Sequence, residues 1–214
     1  MFKLEMDNAP PSDNKSTLAL KRLLHKYFKK LIAGLPLLET AEINSRKQVS
    51  SLANFLELYE SLTKLDTRGM TLVSVFPDVQ AKMMVKLSAE VDAKVDGLND
   101  LILIFKEQHD LAYKTRTDAF NLCKSNKNSL SPELMMTGQP TVPPVSSMLF
   151  HLDEVERHLR EIYWSRKFYL ENILDKEVVN SENLVTLWSE DIATLLNTIK
   201  DCEEQTRFFL EEKI

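Results

Sequence analysis

Two histidines and a carboxylate, His151, Glu154 and His158, fall within eight residues of one another and could in principle grip a metal ion. Zinc sites of that kind need the HExxH register or further cysteine and histidine ligands at set spacings, and neither is present here. The remaining chemistry is equally unsupported. Cys123 and Cys202 stand alone without a CxxC, and no GxSxG frames a serine. No GxxxxGK[ST] or GxGxxG is available to cradle a phosphate, and four glycines leave little material for one. Carboxylates recur throughout, as on any solvated helix. The expectation is therefore no enzyme, no cofactor, no metal and no small-molecule substrate.

The same stretch can do something else. Arg157, Arg160, Arg166 and Lys167 are interleaved with Phe150, Tyr163, Trp164 and Phe168 between Pro143 and Leu174. Basic groups mixed with aromatics suit a nucleic-acid strand or a protein interface. Met148, Leu152, Val155, Leu159, Ile162, Arg166, Tyr169 and Ile173 are spaced by alternating fours and threes, a heptad seam with one arginine in it. A helix on the order of 45 Å follows at 1.5 Å per residue. Ser146 or Ser147 is expected to cap it, and Asp153 with Arg157 and Glu156 with Arg160 to pair across one turn. Phe150, Arg157 and Trp164 share an outer position away from the seam, with Phe168 one turn further on. Leaving such aromatics in water forfeits about 1.5–3 kcal/mol each. Two apolar faces call for two coverings: this chain on both sides, or this chain on one and a partner on the other.

The surroundings are helical. The chain has 214 residues, a net charge of −5, four glycines and eight prolines, a composition that favours helix over sheet. That charge gives no general pull toward nucleic acid or anionic lipid. Neither a signal peptide nor an apolar run of about 20 residues is visible, so no membrane role is expected. Lone thiols suggest a reducing compartment, cytosolic or nuclear.

Residues 1–15 read as a disordered N-terminus and 16–123 as a helical bundle. Residues 124–143 read as a Pro/Ser-rich connector, and 144–214 as a C-terminal helical hairpin packed on the bundle. Pro36 is expected to kink or break the first helix near Gly34, and Gly69 to stop the second pattern. Pro77 and Asp78 mark the start of the next helix. "LILIF", Leu101 to Phe105, is apolar all round and belongs mid-bundle. Met135 and Met136 are expected to dock on the body. One closing helix should bury Val185, Trp188, Ile192, Leu195, Ile199, Cys202, Thr206 and Phe209. The fold class is all-α, an elongated helical bundle with coiled-coil-like packing.

The stretch "PPVSSMLFHLDEVERHLREIYWSRKFYLENI" resembles the signature helix of the AIRIM family of AAA-ATPase-interacting ribosome maturation factors. The matching positions are Pro143, Val145, Met148, Leu149, Leu152, Glu156, Arg157, His158, Arg160, Tyr163, Arg166, Lys167, Leu170 and Ile173. "FPD" at Phe76 to Asp78 and "FFLEE" at Phe208 to Glu212 match two shorter motifs. The likeness runs over most of the chain from Leu18 and is poorest in the first segment and in Lys124 to Gln139. It implies a non-enzymatic adaptor found in cytoplasm and nucleus. Its partners would be a hexameric AAA-type ATPase and a second small helical protein of the cyclin-dependent-kinase-2-interacting type. The assembly would recycle shuttling factors from pre-60S particles, with the particle touched directly or only through its partners. Arg166 would be a buried cation held by a carboxylate that fixes register. The partner-binding candidates are Phe150, Arg157, His158, Arg160, Tyr163, Trp164, Arg166, Lys167 and Phe168. The alternatives from other classes are a structural coiled-coil tether and a helical RNA-binding module gripping through Arg157, Arg160 and Lys167.

Overall fold

The computed structural model describes residues 15–66, 75–127, 130, 132–175 and 177–212. The expected disordered start, Lys15 excepted, and the Gly69 stop lie outside them. Among the described residues the chain forms α1 (Lys15–Lys64), α2 (Val79–Ser125), α3 (Pro132–Met136), α4 (Val145–Glu171), α5 (Ser181–Ser189) and α6 (Ile192–Glu211), with no strand.

The two long helices set the frame, at about 75 and 70 Å by their rise per residue. They run antiparallel, and a ladder of contacts fixes their register. Ser16 Oγ donates to Asn126 Oδ1 at 2.8 Å at one end, and Gln80 Nε2 donates to the Leu62 carbonyl at 2.7 Å at the other. Between them α1 buries Leu31, Leu35, Leu38, Glu42, Ser45, Val49, Leu52 and Leu56, again in alternating fours and threes. α4 returns antiparallel to α2, tied by His109 to Glu156 at 3.2 Å and by Arg116 to Asp153. α6 closes the group against α1 and α4. His25 meets the Leu210 carbonyl at 3.3 Å, and His151 donates from Nε2 to Gln205 Oε1 at 2.8 Å.

Two adjoining cores result. The larger takes Leu20 to Ala41 of α1, Phe105 to Ala119 of α2, the first half of α4 and the apolar stripe of α6. The smaller joins Val49 to Leu56, Val91 to Ile102, Tyr163, Leu170, Leu184 and Trp188.

Several expectations fail for identifiable reasons. α1 runs unbroken through Pro36. Proline removes one intrahelical bond, but Leu31, Leu35, Leu38 and Ala41 are all buried on the core side and hold the helix together across the gap. The "LILIF" segment is helical yet not enclosed. Ile102 and Phe105 are buried while Leu103 is exposed, because α2 has a wet side along its length. α4 begins at Val145, ahead of Ser146 and Ser147, with Pro144 at the cap position. Burying Val145 fixes that first turn. The Asp153–Arg157 pair is replaced by Arg116 to Asp153 and Arg157 to Glu161, while Glu156–Arg160 forms at 3.6 Å. Met135 packs on the larger core and Met136 stands in solvent. The closing helix is two helices, α5 and α6, split where Asp191 takes a left-handed φ of 63°. Val185 is only partly buried, and the rest of the apolar series, from Trp188 through Phe209, is buried across the split.

A buried cation hub and an open aromatic face on α4

α4 carries every candidate site residue, and the structure sorts them into three groups. Of the partner-binding candidates, Arg166, Tyr163 and His158 are buried within this chain, Arg166 as the expected buried cation. Each lies on the side of α4 turned to the cores. Arg166 stands where the two cores meet. Its Nη2 donates to Glu42 Oε2 at 2.5 Å and to the Trp188 carbonyl at 3.0 Å. Its guanidinium carbon lies 4.8 Å from the Phe105 ring centre and 5.0 Å from that of Trp188. Arg46 Nε takes the other Glu42 oxygen at 2.6 Å, and Trp188 Nε1 donates to Ser45 Oγ at 3.0 Å. Burial pulls the Arg166 guanidinium below its ordinary range, and the Glu42 carboxylate opposes that shift. The Trp188 carbonyl needs this donor because the chain leaves the helical path at Glu190. One side chain therefore joins α4, α1, α2 and α5.

The expected carboxylate partner of Arg166 is thus Glu42. Its signal was in the sequence: Glu42 and Ser45 sit inside the α1 seam, at positions otherwise held by Leu and Val.

Phe150, Trp164 and Phe168 form the second group. They are 60%, 54% and 49% exposed, on the side of α4 away from both cores. The neighbouring α2 adds two aromatics that the sequence reading passed over, Tyr113 and Phe120, at 54% and 62%. They sit seven residues apart, and that spacing was the available signal. At one end of this face Phe120, Cys123, Leu149, Phe150 and Leu152 line a cleft of about 370 Å³. The cations on the face are already matched by acids. Arg116 meets Asp153, Arg157 meets Glu161 at 3.8 Å, Lys167 meets Glu171 at 3.6 Å, and Lys106 meets Asp110 at 2.7 Å. Arg160 is likewise answered by Glu156. The stripe of Arg157, Arg160 and Lys167 is therefore not a free basic surface, which removes the electrostatic ground for gripping RNA there. What remains is an apolar, aromatic strip with a neutralised rim, the usual make-up of a protein interface.

His151 and His158 do not converge. His151 reaches Gln205, its other nitrogen lies 3.8 Å from Glu154, and His158 lies 3.9 Å from Glu161. The described residues hold no group of three or more metal-ligating side chains. No described helix is long and apolar enough to cross a membrane.

The family described as "Ribosome biogenesis protein C1orf109-like" matches residues 18–206, nearly the whole helical body. The chain belongs to this family. It is similar to the AFG2-interacting ribosome maturation factor of Homo sapiens, at 24% identity over 204 residues, covering 94% of this chain and all of that protein. The protein of the same name from Danio rerio is 24% identical over 195 residues, covering 91% of this chain and 96% of the relative. That from Mus musculus is 22% identical over 165 residues. These C1orf109-like relatives are named for ribosome maturation and for an interaction, not for a catalysed reaction.

Proposed function

We propose that the chain is a non-enzymatic adaptor in ribosome maturation that docks, through the open α2/α4 face, into an assembly containing an AFG2-type AAA ATPase. The ATPase hexamer would supply the energy by hydrolysing ATP. This chain would position it on precursors of the large subunit, so that shuttling factors are released in the cytoplasm and return to the nucleus. A second small helical protein, of the cyclin-dependent-kinase-2-interacting type, is the partner whose size and helical character suit this face.

One observation supports the reading above the others. Phe150, Trp164 and Phe168 lie uncovered on the helix that carries the family likeness. Covering the exposed half of three such side chains is worth about 1 kcal/mol apiece, which favours a partner on this face. The structural-tether alternative expected a single-seam rod; the four-helix grouping around the larger core is a different architecture. The test is affinity purification of the tagged full-length chain from cells, read by mass spectrometry. An AFG2-type ATPase together with large-subunit precursor proteins is the expected result; recovery of neither contradicts the proposal.

A further inference from the structure

The N-terminal half of α1 breaks the pattern of charge seen elsewhere. From Lys15 to Leu38 the sequence holds Lys15, Lys21, Arg22, Lys26, Lys29 and Lys30 and no acidic residue, in a chain whose net charge is −5. Leu20, Leu24, Tyr27, Phe28 and Leu31 turn into the core. By helical spacing, Lys15, Arg22, Lys26 and Lys29 then line the opposite side, with Lys30 at its flank. All five are exposed. Among the described residues Arg22, Lys26, Lys29 and Lys30 meet no carboxylate, whereas the cations of α4 all do. The hydrogen bond from Ser16 to Asn126 brings the exposed Lys124 and Lys127 to the same end of the molecule.

This placement costs the isolated helix. Like charges one turn apart repel, as Arg22 with Lys26 and Lys26 with Lys30 do, by a few tenths of a kcal/mol each. A polyanion laid along the ridge would reverse that term.

We infer that the Arg22–Lys26–Lys29–Lys30 ridge of α1 is a phosphate-binding surface for RNA. The cations recur at a spacing of about one helical turn over about 12 Å. They offer charge without base-reading side chains, the signature of backbone contact rather than sequence recognition. A lipid surface fits less well. A membrane-bound helix must offer apolar residues beside its cations, and here those residues are spent on the core. The ridge lies on α1, apart from the aromatic face of α2 and α4, so it goes beyond the docking proposed above and can fail independently of it.

The experiment is fluorescence anisotropy of the full-length chain with a labelled RNA duplex of about 16 base pairs, from about 50 to 200 mM potassium chloride. Four phosphate contacts should give a slope of log affinity against log salt of about −3 to −4. Replacing Arg22, Lys26, Lys29 and Lys30 together by Gln should weaken binding about tenfold or more and flatten that slope. The helices should persist, which circular dichroism checks, and recovery of the ATPase should be unchanged. The variant Arg157→Gln/Arg160→Gln/Lys167→Gln should bind RNA as the parent does. Unchanged binding by the α1 variant, or a flat salt dependence, overturns the inference. So does a firmer hold on phosphatidylserine vesicles or on polyglutamate than on the RNA, which would reassign the ridge to a membrane or to an acidic protein.

Discussion

Arg166 shows how much one side chain can be asked to do in a helical protein. A guanidinium taken out of water is tolerated only when the groups around it answer its charge and its protons. Here Glu42 answers the charge, Glu42 and the Trp188 carbonyl take the Nη2 protons, and two aromatic rings lie alongside, while Nη1 is buried without a hydrogen-bond partner. Glu42→Leu should therefore cost about 3–5 kcal/mol by urea denaturation, because the cation is left buried without its partner. Adding Arg166→Met should recover most of that loss, leaving about 1–2 kcal/mol for the Trp188 carbonyl that loses its donor. A double variant no better than Glu42→Leu would show that the pair stabilises in its own right. The thiols make a second expectation. Burial pushes the Cys202 thiol up to about 12, and Cys123, half-buried, is raised less sharply. Above the ordinary thiol value near 9, only the unfolded chain can ionise Cys202. Its contribution to stability is thus whole below that pH and declines as pH rises from there toward 12. Native alkylation followed by mass spectrometry should label Cys123 well before Cys202.

At the scale of elements, Pro36 is the sharpest case of packing overriding a local rule. The helix crosses it without a break, and it does so at the expense of one backbone hydrogen bond. Pro36→Ala should restore that bond and raise stability by up to about 3 kcal/mol, seen as a higher urea midpoint and slower amide exchange near Ile32. The helical seams were legible in the chain because burial imposes period on sequence: Met148 to Arg166 and Trp188 to Phe209 lie inside as their spacing implies. What spacing does not carry is the path of the backbone between apolar positions. Trp188 and Ile192 keep their four-residue step across a left-handed Asp191, so a helix break there left no trace in the pattern. Partner identity was hidden for a similar reason. Arg166 advertises a buried cation, but Glu42 lies 124 residues away, and only the register of α1 against α4 selects it. Tyr113 and Phe120 lie off the stripe that α2 buries, so the spacing of its core residues carries no sign of them.

As a whole, the molecule separates its surfaces by chemistry. Charge pairs such as Arg116–Asp153, Arg157–Glu161 and Lys167–Glu171 flank the aromatic face of α2 and α4, while Arg22, Lys26, Lys29 and Lys30 form an unanswered run on α1. The adaptor role proposed above would use such division, since two partners could then be held without competing for one patch. Recovery of the AFG2-type ATPase with purified full-length chain, parent against Trp164→Ala/Phe168→Ala, decides whether the aromatic face is the docking surface. Both residues are about half exposed, so the variant should keep its helix content while ATPase recovery falls by about tenfold or more, as loss of two aromatic anchors implies. Undiminished recovery with the helices intact would mean that the ATPase is held elsewhere.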